Sequence, residues 1–345
     1  MPELRKNIIT REWVVIATER GKRPSDFKKA TAAAKTDEQK AEEVKKCPFC
    51  PGNENQTPPE IFSYRLSGIA KNGAWEIRAI PNKFAALQPD GNLDHKEVGI
   101  FDVLNGIGYS DVIIETPGHF ERFPFLPKSH IEKVIKAYQE RYLQLRDKPH
   151  VEHVIIFRNH GEKAGTSLQH PHSQIIATPV MPKEFWFEVE GAANYFEYEE
   201  KCAVCAVLDF ESTAGDRVVW ENDSFLAFTF FASRYPFETR IVPKAHKASF
   251  SDMTPYEGGD LAEIIKEVLS RLYNCLDDPS YNLTLHSLLK PGKYEESYHW
   301  HFQILPRLTT PAGFELGTGM FINVTAPEEA AKFLREAKSF ADIAG

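Results

Sequence analysis

The chain has 345 residues, 42% apolar and 26% charged, with 41 basic against 49 acidic side chains and a formal net charge of −8. That composition supports a buried core arranged as two ordinary domains or one large duplicated one, and an acidic chain without a basic block is not a general nucleic-acid binder. No run of 18 apolar residues suggests a membrane span, and Met1-Pro-Glu-Leu-Arg-Lys6 lacks the apolar core of a signal peptide, so the expected compartment is the cytoplasm.

In chain order, β-branched and apolar residues over 13–17 predict a first strand, followed by Glu19-Arg20-Gly-Lys22-Arg23-Pro24. Arginines grip phosphate oxygens bidentately, which makes Arg20 and Arg23 candidate phosphate ligands. Residues 28–46 are polar and carry no apolar stripe, predicting a mobile surface loop or frayed helix. That segment leads into Cys47-Pro-Phe-Cys50. A second pair, Cys202 and Cys205, has the same spacing. In a cytoplasmic chain such pairs hold metals or act in redox chemistry more often than they form disulfides. Asn82-Lys83-Phe84 is a candidate for sugar or base contacts. Apolar runs over 111–115 and 153–157 predict buried strands. Between them Ile131, Val134, Ile135, Tyr138 and Tyr142 recur at helical spacing, as do Leu261, Ile264, Ile265, Val268, Leu269 and Leu272 further on. Thr325-Ala-Pro-Glu328 has the form of a capping box opening a helix to about Ala337. Strand clusters with a few helices between them predict the α+β class.

The chain also repeats itself. His170-Pro-His172-Ser-Gln174 matches His299-Trp-His301-Phe-Gln303, and the two cysteine pairs are offset by 155 residues. A strand-like stretch ending in histidine precedes each motif: His119 lies 51 residues before His170, and His246 lies 53 before His299. The order C-x-x-C, strand, histidine, helix, strand, H-x-H-x-Q thus occurs twice, which indicates a duplication. We divide the chain at 1–195 and 196–345. Two thiolates and two imidazoles complete a tetrahedral zinc shell, so Cys47, Cys50, His119 and His170 form one expected set. Cys202, Cys205, His246 and His299 form the other.

On a strand, residues i, i+2 and i+4 share a face, so His170, His172 and Gln174 point the same way. One imidazole can serve a metal while the next attacks phosphorus, being nucleophilic when neutral. Gln174 can hydrogen-bond a phosphoryl oxygen without adding charge. Upstream, Asn159-His-Gly and Gly165-Thr166-Ser167 offer small residues, hydroxyls and an amide for phosphate binding.

These motifs, with Arg20-Gly-Lys-Arg23-Pro and Pro81-Asn82-Lys-Phe-Ala-Ala-Leu, resemble the galactose-1-phosphate uridylyltransferase family of the histidine-triad superfamily, from about Arg5 to Ala337. The resemblance implies two histidine-triad-like halves in one extended, mostly antiparallel sheet with flanking helices. It implies that His172 is the nucleophile of a ping-pong exchange of UMP between a UDP-hexose and a hexose 1-phosphate. Gln174 and Ser167 would stabilise the transferring phosphoryl group. Arg20, Arg23, Asn82, Asn159, Gly165 and Thr166 would bind substrate, and His170 would ligate zinc. It further implies a homodimer in which the element of Arg20 and Arg23 reaches the partner's active site. Thr166 stands where many members have cysteine, and Lys83 where many have aspartate. Gly317-Thr-Gly-Met-Phe-Ile-Asn323 lacks the tyrosine–glutamate pair of those members. These departures, and two cysteines in the second metal set, resemble the branch containing a plant ADP-glucose phosphorylase. The branch makes adenylyl transfer through the same histidine the second reading, with zinc or iron in the second set; a non-enzymatic, zinc-stabilised nucleotide sensor is a third. Of the two motifs, the first is expected to carry the intermediate, because Glu295 and Glu296 precede the second where a phosphate would sit, and Trp300 and Phe302 in place of Pro171 and Ser173 make that strand's alternate face bulky and apolar, as in a packed strand.

Overall fold

The computed structural model describes residues 1–20, 24–27, 35–66 and 74–339. In chain order its strands begin with β1 (Glu3–Lys6), β2 (Trp13–Ile16), β3 (Phe62–Arg65), β4 (Trp75–Pro81), β5 (His95–Val98), β6 (Phe101–Leu104), β7 (Tyr109–Ile114) and β8 (His153–His160). They continue with β9 (His172–Thr178), β10 (Val218–Glu221), β11 (Phe225–Thr229), β12 (Thr239–Pro243), β13 (Tyr281–His286), β14 (His301–Pro306) and β15 (Ile322–Asn323). The helices are α1 (Pro24–Phe27), α2 (Asp37–Lys46), α3 (Lys128–Arg146), α4 (Lys183–Glu199), α5 (Ala203–Ala214), α6 (Pro255–Leu276), α7 (Gly313–Thr318) and α8 (Pro327–Glu336).

Ten strands form one sheet in the order β10-β11-β12-β14-β13-β8-β9-β7-β4-β3, and every neighbouring pair in it is antiparallel. The order reads alike from both ends: β3, β4, β7, α3, β8 and β9 repeat as β10, β11, β12, α6, β13 and β14. The halves join where β13 lies against β8, with Asn282 opposite Asn159. This is the duplicated α+β architecture that the repeat predicted. Apolar residues at helical spacing on α3 and α6 explain why both lie on one face, sharing a core with Ile113, Ile156 and Ile175 of one half and Ile241, Leu283 and Ile304 of the other. A full capping box, Thr254 with Glu257, starts α6 behind Pro255.

The opposite face separates the halves. On the second half it is covered: Leu226, Phe228 and Val242 pack beneath Phe185 and Val189 of α4, Leu208 of α5, and Val14 and Ile16 of β2. Gly191 lets α4 approach this closely, since a Cβ there would meet the Ile9 carbonyl oxygen at 2.1 Å. On the first half the same face carries a small cluster of Phe49, Ile80, Val112 and Ile114 around the first cysteine pair. Clefts open beside it.

The predicted strands and the two long helices form with ends shifted by a few residues. Two readings need correction. Residues 37–46 are a helix with a complete capping box from Thr36 and Gln39, and no residue of it is buried. Periodicity misses it because a solvent-exposed helix has no apolar stripe to show. Residues 28–34 lie outside the described residues. Near the C-terminus α8 does form, but its N-cap is Ala326, without a side-chain cap bond. Glu328 instead bonds Arg5 and Arg217, both at 2.8 Å. Among the described residues no helix is long and apolar enough to cross a membrane.

Candidate active site and metal centres

Each half brings two cysteines and two histidines together, with one ligand atom per residue all within 4.8 Å of one another. In the first set Cys50 Sγ lies 3.2 Å from His119 Nδ1 and 3.5 Å from His170 Nδ1, and Cys47 Sγ lies 3.6 Å from His170 Nδ1. Zinc bonds of about 2.3 Å to sulfur and about 2.0–2.1 Å to nitrogen put tetrahedral neighbours roughly 3.5 Å apart, so this donor set fits a four-coordinate ion. In the second set Cys205 Sγ lies 3.3 Å from His246 Nδ1 and 3.6 Å from His299 Nδ1. The outer imidazole nitrogens are tied to backbone carbonyls: His170 Nε2 to Thr116 at 2.7 Å, His246 Nε2 to Glu295 at 2.8 Å, and His299 Nε2 to Pro243 at 2.9 Å. An Nε2–H donated in this way leaves Nδ1 as the lone-pair nitrogen facing the sulfurs. Burial pushes the Cys50 thiol up to about 12, and neighbouring Cys47 adds to it. A cation among the donors reverses that preference, because coordinated thiols are thiolates.

His170 opens onto β9, and two residues later His172 lies on the open face. The His172 Nδ1–H donates to the His170 carbonyl at 2.7 Å. That bond fixes the tautomer and leaves the Nε2 lone pair free. Burial lowers the pKa of His172, against the opposing bond to His170 and the charge of Glu115, so the ring is neutral at pH 7. Phe49 packs against its edge with ring centroids 5.4 Å apart.

Two clefts meet at His172. One, of about 420 Å³, is walled by Phe49, Ile80, Asn82, Phe84, Val112 and Gln174. The other, of about 410 Å³, is lined by Arg122, Asn159, His160, Thr166 and Asp278. Ser167 and His172 line both. Gln174 and Asn159 are half-buried and Ser167 is exposed. The Asn159 Oδ1 accepts from Asn282 Nδ2 at 2.8 Å, which turns its own amide N–H groups outward. Gly161 and Gly165 have φ of +79° and +85°. A Cβ on Gly161 would meet Ser280 Oγ at 2.3 Å, so this turn requires glycine. The Thr166 hydroxyl is buried without a partner. Asn82 Oδ1 accepts from the Phe84 backbone at 3.0 Å and so presents the exposed Phe84 ring to the first cleft. The structure therefore brings His172, Gln174, Ser167, Asn82, Asn159 and Thr166 to the walls of these clefts. Arg23 and the Arg20 side chain lie outside the described residues.

Sequence reasoning missed the support behind the strand of His172. Glu115, fully buried, accepts from Arg158 Nε at 3.0 Å, from Tyr138 OH at 2.9 Å and from the hydroxyl of Ser173, the residue after His172. Arg158 Nη1 continues to Tyr281 OH at 2.9 Å, across the junction of the halves. The opposite charges at the C-terminal ends of the apolar runs 111–115 and 153–157, Glu115 and Arg158, were the available signal.

The second half places a carboxylate where the first keeps open space. In register, His301 corresponds to His172 and His286 to Asn159. Glu188, on the covering helix α4, donates no proton there: it accepts from His286 Nδ1 at 2.8 Å and from Tyr298 OH at 3.2 Å, with His301 Nε2 at 3.6 Å. Burial opposes ionisation of Glu188, but the adjacent His286, hydrogen-bonded to it, outweighs that and holds the carboxyl well below its usual range. His301 is 1% exposed, and burial pushes it down to about 3, so it is neutral and enclosed.

Models of the family described as "Galactose-1-phosphate uridyl transferase" match residues 1–182 with its N-terminal domain and 187–338 with its C-terminal domain. An Arabidopsis thaliana protein named ADP-glucose phosphorylase is 35% identical, covering 97% of this chain and 93% of its own. A Thermotoga maritima galactose-1-phosphate uridylyltransferase is 30% identical, covering 97% and 98%. The solved structure of an Arabidopsis thaliana ADP-glucose phosphorylase with bound ADP-glucose superposes with a TM-score of 0.79 at 32% identity, covering 98% of this chain and 100% of that one.

Proposed function

The chain belongs to the galactose-1-phosphate uridyl transferase family, and from that premise we propose that it transfers a nucleotidyl group between phosphate-bearing partners through a covalent intermediate on His172. The observation that carries this reading is the free Nε2 of a neutral, tautomer-fixed imidazole at the meeting point of two clefts. His172 Nε2 attacks the α-phosphorus of a nucleotide sugar. The P–N bond forms as the P–O bond to the hexose phosphate breaks, and the leaving oxygen keeps the electron pair. An oxygen of a second phosphate then attacks the same phosphorus, and the P–N electron pair returns to the ring. Gln174, Ser167 and Thr166 donate to the transferring phosphoryl oxygens, with Asn159 and the Gly165 turn beside them. Asn82 serves the nucleoside.

In this reading the donor set of each half holds zinc, with iron as the second choice at Cys202, Cys205, His246 and His299. A bound ion supplies a doubly charged cross-link between a cysteine turn and two distant strands. The enzyme is a cytoplasmic homodimer of chains divided near residue 195, and Arg20 and Arg23 complete the partner's site. The nucleotidyl group is UMP, exchanged between a UDP-hexose and a hexose 1-phosphate, as the family models and the Thermotoga maritima relative are named. A second reading, AMP transfer, is favoured by the 35% identity to a protein named ADP-glucose phosphorylase. Incubation with UDP-glucose or ADP-glucose labelled in the α-phosphate, followed by denaturation, separates the two by which label the protein retains. Retention of neither would refute both.

A further inference from the structure

We propose that Arg122, held in place by Asp278 from the other half of the chain, binds the phosphate of the partner that discharges the His172 intermediate; this rests on the covalent reading above. The two clefts at His172 differ in kind. The one bounded by Phe49, Ile80, Phe84 and Val112 suits a base and ribose. The other is lined by Arg122, Arg158, His160 and Asp278 and suits a charged group.

Two arginines face that cleft, and they differ in how far each is open to it. Arg158 is 3% exposed, with Nε on Glu115 and Nη1 on Tyr281. The Arg122 side chain is 39% exposed and gives Nη1 to Asp278 Oδ2. A guanidinium has five N–H donors, so an edge of Arg122 remains for a phosphate. Its Cζ lies over the Tyr273 ring, 5.6 Å from the centroid. The other Asp278 oxygen pairs with His160 Nε2 at 2.7 Å. Glu121, also at the cleft, is engaged by the Thr116 hydroxyl.

The backbone that delivers Asp278 is unusual. Asp277 and Asp278, closing α6, have φ of 57° and 53°, two consecutive left-handed residues without glycine. Such conformations cost on the order of 1 kcal/mol or more each and persist only where surrounding contacts hold them. At the equivalent end of α3, Asp147 has φ of −91° and no such turn. The second half thus carries a strained turn that reaches into the first half's cleft, and its product is an oriented Arg122.

The chemistry needs such a cation. The attacking oxygen belongs to a dianionic phosphate and approaches an anionic phosphoramidate. Arg122 offsets that repulsion while the new P–O bond forms and the P–N bond breaks. Inorganic phosphate and a hexose 1-phosphate present the same head group, and their products tell them apart: a nucleoside diphosphate from the first, a nucleotide sugar from the second.

The test uses metal-loaded, full-length protein labelled at saturating nucleotide sugar, freed of donor, and discharged with increasing glucose 1-phosphate or inorganic phosphate. Arg122→Gln is expected to raise the half-saturating concentration of the effective acceptor at least tenfold, Arg122→Lys to recover part of it, and Asp278→Asn to raise it several-fold. Slow hydrolysis of the intermediate by water should not change. Half-saturation equal to the wild type in Arg122→Gln overturns the inference. So does loss of labelling in both Arg122 variants when they are folded and metal-loaded, because it places Arg122 in the transfer itself. A wild-type protein that takes up no label refutes the covalent reading instead.

Discussion

Replacing Glu115 with alanine should be among the most damaging single changes outside the metal sets. Its carboxylate is fully buried and pairs with Arg158, itself 3% exposed. Removing one partner of a buried pair leaves the other charge without compensation and costs about 3–5 kcal/mol. At about 2.1 cal/mol/K per residue, a chain of this length has an unfolding entropy of roughly 0.7 kcal/mol/K, so the midpoint should fall by about 4–7 °C. The double change Glu115→Met with Arg158→Met removes both charges and should lose less than half as much. Because Ser173 also bonds Glu115, nucleotidyl uptake by His172 should slow in the single variant even below its melting range. Scanning calorimetry on metal-loaded protein reads the first effect and quenched labelling the second. A shift below about 1 °C in Glu115→Ala, or equal losses in the single and double variants, would refute the account of this network.

Elemental analysis should give two ions per chain, falling to one in Cys47→Ser or Cys205→Ser; fewer than one in carefully purified wild type would remove the metal account. Mixing Arg20→Ala and His172→Gly chains should restore activity that each lacks, if the arginine element acts on the partner's site, and no recovery despite confirmed subunit exchange would place it elsewhere. Burial pushes His153 down to about 4, below its unfolded value near 6.5. The unfolded state therefore binds the proton first as pH falls, and stability contributed by the neutral ring is present above about 6.5 and lost towards 4. His153→Phe should flatten the stability–pH curve in that window, and an unchanged slope would contradict the assignment.

The repeat was legible because four candidate metal ligands of two types at fixed spacing leave little freedom, and a duplicated set of them carries its fold along. The long helices α3 and α6 were legible because each hides one stripe. What stayed hidden has a physical reason in each case. Helix α2 holds itself by Thr36 and Gln39 and by pairs such as Lys46 with Glu42 at 2.6 Å, none of which leaves an apolar period. Thr325 and Glu328 had the spacing of a cap, but Arg5 and Arg217 claim Glu328 from distant parts of the chain. Glu115 and Arg158 lie 43 residues apart in the chain, and only the sheet, with β7 and β8 on either side of β9, brings them together. The expectation that His301 is structural rested on Glu295 and Glu296 and on the bulky Trp300 and Phe302 of its strand, both of which are buried in the core. The structure adds a further reason: Glu188, arriving on α4, stands against His301.

The measurement that bears most directly on the central claim is peptide mapping of protein labelled from an α-phosphate-labelled nucleotide sugar and quenched without acid hydrolysis of the P–N bond. The label should reside on His172, disappear in His172→Asn and persist in a folded His301→Asn. Label on His301, or label retained in His172→Asn, would contradict the assignment of the chemistry to the first half.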